Sequence, residues 1–139
     1  MIAYLDSSVL LRRVLGQRDS LAQWKKIEAG VASALVEVEC LRTLDRLRLA
    51  ESLDDPTIAP RREALFRVLD AIELVEVTRP VLERAAQPMP TALGTLDAIH
   101  LATALLWREH SGAADLVMAT HDAALGLAAR ASGLRVIGL

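Results

Sequence analysis

The chain has 139 residues, 53% of them hydrophobic, with 16 Lys and Arg against 18 Asp and Glu. That is enough for one α/β domain with a continuous core and too little for two. The balanced charge excludes a basic tail or acidic block of the kind that binds polyanions without discrimination, and because 11 of the 16 basic residues lie within residues 1–70, any positive surface belongs to the first half.

In chain order, the apolar run IAYL (2–5) predicts a strand ending at Asp6-Ser7-Ser8, which opens a helix through VLLRRVL. A second helix is expected over 19–28. Ser33, following Gly30-Val31-Ala32, is the expected N-cap of a long helix running to about residue 50, and Asp54-Asp55-Pro56 ends that region. Residues 60–71 are helical in pattern, ELVEV (73–77) alternates like a strand, and a short helix stops before Pro88-Met89-Pro90, leaving 87–94 as a loop. From 96 to about 109 the chain is apolar on nearly every side except at Asp97, His100 and Thr103, the pattern of a helix buried in the middle of a domain. Residues 115–119 read as a strand buried on both faces. Thr120-His121-Asp122 opens a further helix through residue 131, Gly133 stops it, and RVIGL supplies a last strand. The alternation predicts one domain over 1–139, an α/β fold with a parallel sheet of four to five strands and helices on both faces.

The single Cys40 lies in a leucine-rich periodic segment, which excludes an intramolecular disulfide, argues against a zinc cluster and suits a reducing cytoplasm. The start, MIAYLDSSVLLRR, has no basic n-region and no cleavage-like site, and no apolar run approaches the ~18 residues of a membrane helix. The expectation is a soluble cytoplasmic protein without a membrane segment.

Four carboxylates stand out. In parallel α/β sheets ligands bind beyond the carboxyl ends of the strands, and Asp6 and Asp122 each follow an apolar strand and precede a helix. Taken singly, each is equally readable as an N-cap. Asp97 sits in the first turn of its helix, where the dipole also favours a carboxylate, but the helix is otherwise almost entirely apolar, which suggests a metal or a specific ion pair and makes function the better reading. Glu39 shares one polar strip of its helix with Arg42, Thr43 and Arg46, which taken alone reads as an exposed face with a Glu39–Arg42 pair. Glu37 points to the opposite side. Together the four acids need a reason to stay ionised in one place: two like charges about 4 Å apart cost on the order of 4 kcal/mol at an effective dielectric of about 20. A divalent cation removes that repulsion. Magnesium or manganese takes oxygen ligands while keeping several waters, which suits phosphodiester hydrolysis.

These acids and their flanks (YLDSSVLL, SALVEVECLR, TLDAIHLATAL and MATHDAALGLAARASGL) resemble the PIN-domain nucleases, in particular the VapC toxins of bacterial toxin–antitoxin pairs. The resemblance spans nearly the whole chain. It implies that Asp6, Glu39, Asp97 and Asp122 form an acidic quartet, with Asp6 and Asp97 as principal metal ligands and Ser7 and Thr120 as supporting hydroxyls. It further implies Mg²⁺ or Mn²⁺ dependence, endoribonuclease cleavage of single-stranded or looped RNA, homodimerisation, and inhibition by a small VapB-type antitoxin. Unpaired bases can be splayed and read, whereas the deep groove of an RNA helix cannot. Arg42 and Arg46 are candidates for contact with RNA or with the antitoxin. The chain departs from many relatives in having Gly94-Thr95, rather than a basic residue, before the third acidic segment.

His100, one turn after Asp97, and His121, beside Asp122, lack the third well-spaced His or Cys of a zinc site, so packing or support of the carboxylates is the better reading. Tyr4, Trp24, Phe66 and Trp107 fall in helical or strand patterns that favour core packing over base stacking. A receiver domain would need paired acids after the first strand and a late lysine, but the only lysines are Lys25 and Lys26. A haloacid-dehalogenase-type phosphatase would need an Asp where Ser8 stands. The remaining alternatives are a PIN nuclease outside any toxin pair and a PIN-fold binding module with little catalysis.

Overall fold

The computed structural model describes residues 1–139. Five strands, β1 (Ile2–Leu5), β2 (Ala29–Ser33), β3 (Glu73–Val75), β4 (Val117–Ala119) and β5 (Arg135–Ile137), pair in the order β3-β2-β1-β4-β5, every pair parallel. Six helices connect them: α1 (Ser7–Val14), α2 (Leu35–Glu51), α3 (Asp55–Asp70), α4 (Arg79–Ala85), α5 (Thr95–Ser111) and α6 (Ala123–Ala131). The expected parallel sheet with helices on both faces is therefore present.

The two-residue side-chain period of the strands divides the core. Ala3, Leu5, Ala32 and Ala119 pack with Val9 and Leu10 of α1, Val36, Cys40 and Leu44 of α2, and Leu65 of α3. Tyr4, Val31 and Met118 point the other way, onto Leu101 and Leu105 of α5 and Leu125 and Ala128 of α6. α4 lies against α5 through Val81, Ile99 and Ala102. Thus α2 and α5 cover opposite faces of the sheet.

Three sequence expectations are corrected. Residues 19–28 do not form a helix: only Trp24–Lys26 make a 3-10 turn. The segment is held instead by the start of the sheet, where the Glu28 N–H donates to the Met1 carbonyl at 2.9 Å and Glu28 pairs with the N-terminal amine. Ser33 is not the N-cap of α2. It ends β2, a strand the pattern AGVAS did not announce, because pairing with β1 and β3 recruits it. Ala34 takes the cap position, and Ser33 Oγ accepts from the Leu35 N–H at 3.2 Å. The helix expected over 60–71 starts at Asp55, with Asp54 as its N-cap accepting from the Thr57 N–H, so the acidic pair begins a helix as well as following one. Pro56 occupies the first turn, where its missing N–H costs nothing.

No helix is long and apolar enough to cross a membrane. At the end of the chain Gly138 adopts φ +100, and a Cβ there would lie 2.6 Å from the Thr120 carbonyl oxygen. Both strain and clash oppose any side chain. Gly138→Ala is expected to cost about 1–3 kcal/mol, measured as a lower urea midpoint at unchanged m-value; an unmoved midpoint would show that this approach is not tight.

Candidate active site

The order β3-β2-β1-β4-β5 reverses direction between β1 and β4, and the crevice beyond their carboxyl ends is where such sheets bind ligands. Asp6 follows β1 directly, and Thr120, His121 and Asp122 follow β4. The Asp6 N–H donates to the Ala119 carbonyl at 3.1 Å, joining the two strand ends.

Asp6 is 4% exposed. It occupies the N-cap position of α1 yet makes no side-chain cap. Its Oδ2 accepts from Ser8 Oγ at 2.6 Å and from Thr120 Oγ1 at 2.9 Å, while Oδ1 accepts only a long bond from Ser7 at 3.4 Å. Both hydroxyls are themselves tied to the β4–α6 loop: the His121 N–H donates to Ser8 Oγ at 3.0 Å and the Asp122 N–H to Thr120 Oγ1 at 2.9 Å. The capping reading fails for Asp6 and its support by Thr120 is present. Ser8, rather than Ser7, is the closer serine. A hydroxyl two residues into the helix reaching back to the N-cap carboxylate is the signal that would have found it.

Asp122 caps α6 as the simple reading expected, its Oδ1 accepting from the Leu125 N–H at 2.9 Å. That leaves Oδ2 without a partner in the chain. The capping and site readings are compatible, each using a different oxygen.

Glu39, from α2, and Asp97 and His100, from α5, come from opposite faces and meet across the strand ends. His100 Nε2 lies 2.5 Å from Glu39 Oε1. The expected Glu39–Arg42 pair is absent, since Arg42 reaches Asp45 instead, at 3.5 Å. His100 is fully buried, its Nδ1 2.8 Å from the Tyr4 hydroxyl. Burial alone pushes the imidazole pKa down. The hydrogen bond to Glu39, its charge and those of Asp6 and Asp97 outweigh this, and the net shift is upward. His100 Nε2–H donates to Glu39, and Nδ1 shares a hydrogen bond with the Tyr4 hydroxyl. The phenol also accepts the Ser33 N–H at 3.1 Å, and burial first, then neighbouring charge, keeps it protonated. Tyr4, read from sequence as packing, thus also carries a polar link from β2 to α5.

Asp97 has no hydrogen-bonding partner. Its pKa is raised, chiefly by burial and then by the charges of Asp122, Asp6 and Glu39, with His100 opposing. Asp6, Glu39 and Asp122 therefore all lie within electrostatic reach of Asp97. Cys40, beneath them, has its thiol pushed up to about 12 by burial and by the Glu39 and Asp6 charges, which makes it a poor thiolate ligand or nucleophile. His121 turns away: its Nδ1–H donates to the Gly138 carbonyl at 2.6 Å.

Whether a divalent cation suits this cluster can be judged from the oxygens. Asp122 and Glu39 each have one oxygen engaged and one left over, Asp6 has Oδ2 doubly engaged and only the long Ser7 bond on Oδ1, and Asp97 has no hydrogen bond on either. No three His, Cys, Asp or Glu side chains are drawn close enough to clasp an ion on their own. A hard cation that retains water and takes few carboxylates fits such a set; a closed protein cage does not.

Comparison with known proteins agrees with this geometry. The PIN domain family model matches residues 3–131. Ribonuclease VapC46 of Mycobacterium tuberculosis is 34% identical over 137 residues, covering 96% of this chain and 95% of that protein. Ribonuclease VapC35 of the same species is 34% identical over 139 residues, covering 96% and 94%. Among solved structures, a chain of a toxin–antitoxin complex from Klebsiella pneumoniae superposes with a TM-score of 0.66 at 16% identity, covering 99% of this chain and 96% of its own. VapBC2 from Rickettsia felis, bound to a promoter DNA fragment, gives 0.59 at 13%, covering 98% and 97%. The five-stranded parallel sheet with acids gathered at its switch point, the family match over 3–131 and the near-full-length relatives make this chain a member of the PIN-domain family, in its VapC ribonuclease branch.

Proposed function

We propose that this protein is a Mg²⁺- or Mn²⁺-dependent endoribonuclease that acts as the toxin of a toxin–antitoxin pair, hydrolysing RNA phosphodiester bonds at Asp6, Glu39, Asp97 and Asp122. The observation that carries the reading is the Asp97 carboxyl, without a hydrogen-bonding partner and partly buried beside three other acids, its pKa raised chiefly by burial and then by the charges of Asp122, Asp6 and Glu39. A fold does not keep so unfavourable an arrangement for stability, and perturbed acids at a sheet switch point mark functional sites. The ribonuclease names of the relatives support the reaction, and the complexes formed by the solved neighbours support a small VapB-type antitoxin as partner. Single-stranded or looped RNA is the substrate whose backbone can reach such a crevice. Homodimerisation follows the same family resemblance.

When bound, the cation supplies a Lewis acid for the phosphate and lowers the pKa of a coordinated water. The chain's own residues hold that chemistry in place. Ser8 and Thr120 fix Asp6 by hydrogen bonds to one oxygen, and the other carries only the long bond from Ser7. Leu125 fixes Asp122 in the same way. His100 fixes Glu39 through Nε2, at one of its two oxygens.

Millimolar Mg²⁺ is expected to raise the thermal midpoint of the wild-type protein by several degrees, because an ion at about 100 times its Kd adds about 2.7 kcal/mol to the native state alone. An unchanged midpoint would oppose a shared metal site. Asp97→Asn separates site from scaffold. Asp97 has a raised pKa, so its charged form costs stability at pH above that value, and the neutral amide removes the cost. The variant should therefore melt higher than wild type without metal, lose the Mg²⁺-induced rise, and lose cleavage of total cellular RNA. Wild-type-level cleavage by Asp97→Asn rejects the assignment.

A further inference from the structure

Beside the acidic cluster, a cavity of about 330 Å³ opens between α2 and the start of α5, with Ser7 and Glu39 among its lining residues. Its walls are Leu35, Val38, Arg42, Thr43, Arg46 and Leu96. We infer that this cleft is a nucleotide subsite: it takes the unpaired RNA nucleotide adjoining the scissile phosphate, with a backbone phosphate on Arg42 and Arg46 and the base against Leu35, Val38 and Leu96. The inference rests on the ribonuclease reading above and adds where the strand runs and what holds it.

The charge of the cleft is positive although the neighbouring crevice is acidic. Glu39, the one acid on its wall, has one oxygen engaged by His100 Nε2, against two arginines on the same wall. Arg42 is largely exposed and restrained only by a 3.5 Å pair with Asp45, which Arg48 shares at 3.0 Å. Arg46 has no carboxylate partner and is steadied by Thr43 Oγ1 at 3.0 Å. Standing three and seven residues after Glu39, the two arginines lie about 4.5 and 10.5 Å along the helix axis from it, at about 1.5 Å per residue. They trace a path leading away from the acids, as a phosphate backbone leaving the cut must. Planar guanidinium forks suit phosphate oxygens.

The apolar wall answers to the other half of a nucleotide. Val38 is 52% and Leu96 50% exposed, side by side with cations, where isolated solvent-facing aliphatics gain nothing. A base removes both from water, and because neither offers hydrogen bonds the contact tolerates sequence but requires the base to be out of a helix. An acidic–apolar protein segment has similar chemistry. RNA is favoured because Glu39 of the proposed cutting site and Ser7, next to Asp6, line the same cleft as the two arginines.

The test uses full-length protein in Mg²⁺. In an Asp97→Asn background, anisotropy of a fluorescein-labelled single-stranded RNA reads binding without cleavage; in the wild-type background, cleavage kinetics and cut-site mapping read the rest. Arg42→Gln with Arg46→Gln should weaken RNA binding about tenfold or more and lower the dependence of log K on log salt by about 1 to 2. Val38→Ser with Leu96→Ser, at exposed positions, should weaken binding on the order of tenfold at unchanged salt slope, place the loss on KM rather than kcat, and alter base preference at one position beside the cut. Both pairs should keep the Mg²⁺-induced thermal shift. Unchanged RNA affinity, KM and base preference in both pairs overturn the subsite, as does loss of antitoxin affinity with RNA binding intact. A wild-type protein that neither binds nor cuts RNA sinks the underlying ribonuclease reading instead.

Discussion

The structure depends on one buried carboxylate. Asp6 lies where the parallel sheet changes direction, and the cost of burying its charge is offset by two hydroxyl donors, each bond to a charged group contributing about 1.5–3 kcal/mol. Ser8 belongs to the helix after β1 and Thr120 to the loop after β4, so satisfying Asp6 also ties the two halves of the sheet together at their carboxyl ends. Both donors are neutral, so no cation of the chain is paired with Asp6. A lysine or arginine in their place would have made a stable ion pair and left nothing for a cation.

A second polar link crosses the layers. Ser33 of β2, Tyr4 of β1, His100 of α5 and Glu39 of α2 form a continuous run of hydrogen bonds through an otherwise apolar interior. Buried polar groups are costly unless every member is satisfied. Here they are satisfied, and the result is that two helices on opposite faces of the sheet present Glu39 and Asp97 to the same crevice. The repulsion that remains falls on Asp97.

The acids of this region therefore do different work. Asp6 and Asp122 are structural as well as available, each giving one oxygen to the fold. Glu39 balances a histidine. Asp97 alone makes no hydrogen bond to the scaffold although it lies in the first turn of α5. The neighbouring cleft reverses the sign of charge within one or two turns of α2, separating a place suited to a cation from a place suited to a phosphate.

Much of this was legible in the residues. The apolar runs at 2–5 and 115–119, the buried helix after residue 95 and the strand–acid–helix order at Asp6 and Asp122 announce a parallel sheet with acids at its carboxyl edge, because periodicity and strand–helix alternation are local properties of the chain. Other features are set by contacts distant in sequence. AGVAS becomes a strand only because β1 and β3 flank it, and 19–28 fails as a helix because its end is captured by the first residue of the chain. The capping preference of Asp is the same at both strand ends, yet Asp122 caps and Asp6 does not, since Thr120, 114 residues away, competes for its oxygen. Which residue types stand ready for metal chemistry is thus written in the sequence, but which oxygen of each is free, and which histidine restrains which acid, are decided by packing, where a hydrogen bond from a remote element outweighs the local preference.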